Sequence, residues 1–67
     1  MLGQRIKELR KQKKLTQEKL ADGIITRSYL SQIEKGSIQP SYEVLEALSN
    51  KLNCSVEDFF DVVENKE

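Results

Sequence analysis

Histidine is absent from the sequence, and that removes several chemistries at once. No serine can belong to a serine–histidine–acid triad, and a zinc site of the usual Cys/His type has no ligand set. Cysteine occurs once, as Cys54, so an internal disulfide cannot form. The residue reads as a small apolar filler between two helices. Acidic neighbours such as Glu57 and Asp58 fall in a solvent-facing pattern that does not suggest acid/base work. No apolar run approaches the roughly 20 residues that span a bilayer. The opening stretch, Met1 to Lys7, lacks the apolar centre of a secretory signal. The expectation is a cytoplasmic protein with no membrane partner. Aromatic residues make up 6% of the 67 positions and hydrophobic residues 37%, against 33% charged. That balance suits short helices with one buried stripe each around a single small core, with little room for an enzymatic cleft or a cofactor.

A net charge of zero argues at first against a nucleic-acid partner, but the distribution reverses that impression. Residues 1–40 hold nine Lys/Arg against four acids, a balance of +5. Residues 41–67 hold two against seven, a balance of −5. One part of the chain is suited to phosphate and the other points away from it.

Strand-type alternation does not persist anywhere, whereas the 3.6-residue period recurs in every segment, so the pattern predicts five helices. The first covers 2–13, with Leu2, Ile6 and Leu9 inward and Lys7, Arg10, Lys11 and Lys14 along another side at helical spacing. Thr16 is an N-cap for a second helix over 17–22, with Glu18 near its positive end and Gly23 just past its close. Thr26 caps a third over 27–35, which buries Leu30 and Ile33 and shows Arg27, Ser28, Ser31, Gln32 and Lys35 on its other face. Gly36 closes that helix. Ser37 to Pro40 forms the one loop with a proline. Ser41 caps a fourth helix through 52, with Val44, Leu45, Leu48 and Leu52 as its buried stripe. Ser55, with Asp58 three residues on, opens a fifth in which Val56, Phe59, Phe60 and Val63 recur at i, i+3, i+4 and i+7.

Two short helices joined by a tight turn, the second exposing amides, hydroxyls and an arginine, match what a DNA major groove admits and what base edges pair with. A generic polar helix face remains the alternative for such residues in isolation. The strings Leu15-Thr16-Gln17-Glu18-Lys19-Leu20-Ala21, Ser31-Gln32-Ile33-Glu34-Lys35-Gly36 and Pro40-Ser41 resemble the Cro/CI-type (XRE) helix-turn-helix family of phage repressors and bacterial regulators. The resemblance runs from Ile6 to Phe60. Within that family, Leu20 to Glu34 looks most like the PlcR/NprR-type peptide-sensing regulators of Gram-positive bacteria. The turn departs from the family pattern. Many members carry one more residue there, often with a glycine where Ile25 stands, so positions are matched backward from Glu34.

The resemblance implies an all-α, five-helix, lambda-repressor-like domain spanning residues 1–67, with the second and third helices as the helix-turn-helix. It implies sequence-specific binding of double-stranded DNA by a bacterial transcription regulator, in a nucleoid-associated setting. Base-reading positions fall on Arg27, Ser28 and Gln32, with Ser31 and Thr26 beside them, and periodicity places Arg27, Ser28, Ser31 and Gln32 outward. Phosphate contacts carry over to Gln17 at the start of the second helix, where free N–H groups favour an anion. Lys35, Ser37 and Tyr42 are further phosphate candidates, although Lys35 can be merely solvated and Tyr42 can pack on the fourth helix. Lys11 and Lys14 join them if the basic face of the first helix reaches DNA. Arg10 and Glu34 resemble a structural pair that bridges the first and third helices. Phe59, Val62 and Val63 crowd the acidic end and predict a weak homodimer on a palindromic operator, or a contact with a C-terminal regulatory domain in a longer parent. The rival reading is a helical protein-interaction module, an antitoxin or adaptor working through the acidic half.

Overall fold

The computed structural model describes residues 2–60. Four α-helices appear in order: α1 (Leu2–Gln12), α2 (Gln17–Ala21), α3 (Arg27–Lys35) and α4 (Tyr42–Lys51). A short 3₁₀ helix, Val56–Phe60, follows. Among the described residues there is no strand, and none of their helices is long and apolar enough to cross a membrane.

The helix starts follow from their caps. The hydroxyl of Thr16 accepts from Lys19 N–H at 3.1 Å, that of Thr26 from Tyr29 N–H at 3.0 Å, and that of Ser41 from Val44 N–H at 3.2 Å. Each oxygen satisfies a donor that the first turn of a helix cannot pair internally. At the other end of α3, Gly36 takes the left-handed conformation with φ 84°, and its N–H bonds back to Gln32 and Ile33 carbonyls. Gly23, in the connection between α2 and α3, is likewise left-handed at φ 80°, and there the N–H groups of Ile24 and Ile25 bond back to the Ala21 carbonyl. The left-handed residue of this turn is therefore Gly23, and Ile25 is half-buried against the core.

Ile6, Leu9, Leu20, Ala21, Leu30, Ile33, Leu45, Leu48, Leu52 and Phe59 form one core. Each of the large side chains among them contributes about 1.5–3 kcal/mol by leaving water. α3 packs against both α1 and α2, α4 touches α2, and the 3₁₀ helix closes over α1 and α4. The polar side of α3 is left facing solvent.

Three expectations need correction. Among the described residues the fifth helix is a 3₁₀ segment, Val56–Phe60, so these residues hold four α-helices and a 3₁₀ helix. In a 3₁₀ helix, with three residues per turn, Val56 and Phe59 share a face and Phe60 is turned about 120° away. Phe59 is accordingly 2% exposed and Phe60 51% exposed, where the α period had put both inward. Burial in the chain's own core leaves Phe59 almost no surface for a second copy, against its expected place at a dimer contact. Val62 and Val63, the other residues of that contact, and Val63 as an inward residue, lie outside the described residues. Lastly, α1 ends at Gln12 and Lys14 sits beyond it at φ 60°, so Lys14 does not extend the helical row of Lys7 and Lys11.

Candidate nucleic-acid interface

At about 100° per residue, α3 divides cleanly. Leu30 and Ile33 point into the core. An arc on the opposite side runs from Arg27 through Ser31, Lys35 and Ser28 to Gln32. Arg27, Ser28, Gln32 and Lys35 are exposed and Ser31 is half-buried. Thr26 is exposed at the head of the arc, but its oxygen is engaged as the cap, which leaves its hydroxyl hydrogen to donate outward. One short helix thus presents two amide or guanidinium groups, three hydroxyls and an ammonium along one side.

The edge of this arc is held by a buried ionic cluster. Arg10 is 8% exposed. Its Nε donates to Glu34 Oε2 at 2.8 Å and its Nη2 to Glu34 Oε1 at 3.2 Å. The remaining terminal nitrogen, Nη1, donates to the Leu15 carbonyl at 2.8 Å. Glu34 Oε1 also accepts from Gln17 Nε2 at 2.9 Å. Every polar group of the two charges that matters is therefore engaged, the condition under which a buried pair is tolerated. Gln17 is half-buried, and its bond to Glu34 orients the amide nitrogen while leaving its second N–H free to face an anion. Sequence reasoning placed Gln17 at a helix start; the carboxylate that orients its side chain is visible only in three dimensions.

The remaining candidates lie around this face rather than on it. Lys11 is exposed on α1, Ser37 is exposed in the loop after α3, and Tyr42 stands 64% exposed as the first residue of α4. Lys14 is exposed in the connection between α1 and α2.

Two features escaped sequence reasoning. Gly3 is buried where α1 meets α3, and a Cβ there would stand 2.1 Å from the Ile33 carbonyl oxygen. Lys51 at the end of α4 donates to the Asp22 carbonyl, holding the turn between α2 and α3. Neither has a local sequence signature, because each partner lies some thirty residues away. At Cys54, burial first and the Asp58 carboxylate second push the thiol pKa up, so the group stays protonated and a poor nucleophile.

A small all-helical domain whose third helix is braced from behind and polar in front is a helix-turn-helix unit. Residues 6–59 match the Helix-turn-helix family HTH_3, and the chain belongs to it. It is 46% identical over 56 residues to the immunity repressor protein of Bacillus phage phi105, covering 82% of this chain and 39% of that protein. The crystal structure of the biofilm master regulator SinR in complex with DNA superposes with a TM-score of 0.84 at 41% identity, over 91% of this chain and 100% of that one. Bacillus thuringiensis PlcR in complex with the peptide PapR7 and DNA superposes with a TM-score of 0.85 at 33% identity, over 98% of this chain and 24% of that one. The chain spans about half the length of the curated relatives it matches.

Proposed function

We propose that this domain binds double-stranded DNA sequence-specifically as the operator-reading part of a bacterial transcription regulator. The observation that carries the reading is the exposed polar arc of α3, packed on the core on one side and tied by the Arg10–Glu34–Gln17 cluster at its edge. Two solved relatives of the same fold, SinR and PlcR, are DNA complexes, which supports it. In this reading α3 lies in the major groove and α2 crosses the backbone. Arg27, Ser28 and Gln32, with Ser31 and Thr26, meet base edges. Gln17, Lys35, Ser37, Tyr42, Lys11 and Lys14 meet phosphates, which set position without reading sequence. The output is occupancy of a site, by occlusion or recruitment, and involves no bond chemistry. Two copies occupy the halves of a palindromic operator.

Selection of bound sequences from a random duplex pool tests this directly. A defined consensus is expected, and Gln32→Ala and Ser28→Ala are each expected to relax preference at one position by about 1–3 kcal/mol while the helical signal is unchanged. A pool that never converges, or variants that keep the full consensus, would sink the assignment of this face.

A further inference from the structure

Lysines collect on one side of the molecule without acidic partners. Lys7 and Lys11 of α1 and Lys35 of α3 line a groove together with Gln4, Glu8 and Glu34. Both carboxylates in that groove are already engaged. Glu34 holds Arg10 and Gln17, and Glu8 faces Arg5 at 3.5 Å. Among the described residues no ion pair joins Lys7, Lys11 or Lys35 to an acid. The three charges therefore add to one another, which is an arrangement suited to a polyanion rather than to self-contained folding.

Position narrows the choice of polyanion. Gln4, Lys7 and Lys11 recur at i, i+3 and i+7 and so share one side of α1. That side adjoins the seam where Gly3 meets the α3 backbone at Ile33 and Glu34. Lys35 is the next residue of α3 and belongs to its polar arc. The basic strip therefore begins where the recognition face ends. Lys7 and Lys11 are about 6 Å apart along the helix axis, a separation that lets them address different phosphates of one strand.

Building on the DNA-binding reading above, we propose that Gln4 and Lys7, together with Lys11, form a ledge for the phosphate backbone of duplex DNA beyond the base pairs that α3 reads. Each half-site then extends into flanking DNA whose presence is felt and whose sequence is not.

The test compares two duplexes, the selected site alone and the same site with several random base pairs added at each end, in salt titrations of binding. The wild-type chain is expected to bind the longer duplex more tightly and with a steeper salt dependence. The Lys7→Ala/Lys11→Ala double variant is expected to lose that preference and to have a log–log salt slope lower by about two, which between 50 and 200 mM salt is about tenfold less affinity lost. Its selected consensus is expected to stay the same. Lys13→Ala removes a charge that is instead felt at Cys54, and it is expected to keep the flank effect. Circular dichroism checks that each variant is folded, and Lys7→Arg/Lys11→Arg is expected to restore the effect. If the wild-type chain binds its site specifically but ignores the flanks, or if the double variant responds to them as the wild type does, the ledge is refuted while the reading of α3 stands. If the wild-type chain shows no salt-dependent affinity for any duplex, both fall.

Discussion

At the scale of single residues, Gly3 shows how a contact can reverse an intrinsic preference. In the first turn of α1 an alanine would ordinarily be better than glycine by about 0.5–1 kcal/mol. Here the added Cβ would meet the Ile33 carbonyl oxygen at 2.1 Å and the Glu34 carbonyl oxygen at 2.8 Å. Both are backbone atoms of α3 and cannot swing aside as a flexible side chain would. Gly3→Ala is therefore expected to destabilise the fold, by about 1–3 kcal/mol, as α1 is pushed off α3. The midpoint of urea unfolding measures it. An unchanged or raised midpoint would mean that the two helices do not approach this closely in solution. The same displacement would disturb the groove shared by Lys7, Lys11 and Lys35, so a weakened salt dependence of DNA binding should accompany the loss of stability.

Elements were legible in the sequence in proportion to how local their determinants are. The starts of α2, α3 and α4 could be read from Thr16, Thr26 and Ser41 because a cap reaches only three residues along the chain. The ends could be read from Gly23 and Gly36 for the same reason. The last segment was misread because Ser55 and Asp58 do form the local turn, with Asp58 Oδ2 accepting from Ser55 N–H at 3.0 Å, while its helical type depends on distant partners. There, Arg5 Nε of α1 donates to the Asp58 carbonyl at 2.9 Å, a contact fifty-three residues away in sequence. The outward face of α3 followed from periodicity, but in the cluster that joins three elements beside it the Arg10–Glu34 pair followed only from the family resemblance, and the Gln17–Glu34 bond from neither. Its energetics can be measured. Removal of either charge by Arg10→Ala or Glu34→Ala leaves the other buried, and each is expected to cost about 3–5 kcal/mol. Replacing both together, Arg10→Ala/Glu34→Ala, leaves no charge stranded and is expected to cost much less than the sum of the two single changes. A thermal-unfolding double-mutant cycle reads the coupling. Small, additive effects would show that the pair is solvated and does not bind α1 to α3.

Across the whole molecule, charge and apolar surface are sorted to different regions, and the sorting bears on assembly. Residues 1–40 carry the excess of positive charge and contain the entire helix-turn-helix, whereas the later residues are acidic and would repel phosphate. Phe60 stands 51% exposed at the end of the 3₁₀ helix, on the acidic part of the chain, with Val62 and Val63 following Asp61 in the sequence. An exposed aromatic ring here could serve a twofold contact between copies, and measurement decides whether it does. With Phe59 enclosed in the core, Phe60 is the exposed large aromatic left at that end of the described residues for such a contact, which is a small patch. A small patch gives a weak dimer in free solution. On a palindrome the two copies are held side by side, and the same contact then adds cooperativity, with half-sites about one helical turn or a multiple of it apart. Analytical ultracentrifugation of the 67-residue chain, alone and with a palindromic duplex, measures both states. The chain is expected to be largely monomeric at micromolar concentration, to bind the palindrome cooperatively as two copies, and to lose that cooperativity in Phe60→Ser while single half-site affinity is retained. Independent, non-cooperative filling of the two half-sites by the unaltered chain would show that this patch does not join the copies, and would place dimerisation in sequence beyond these residues.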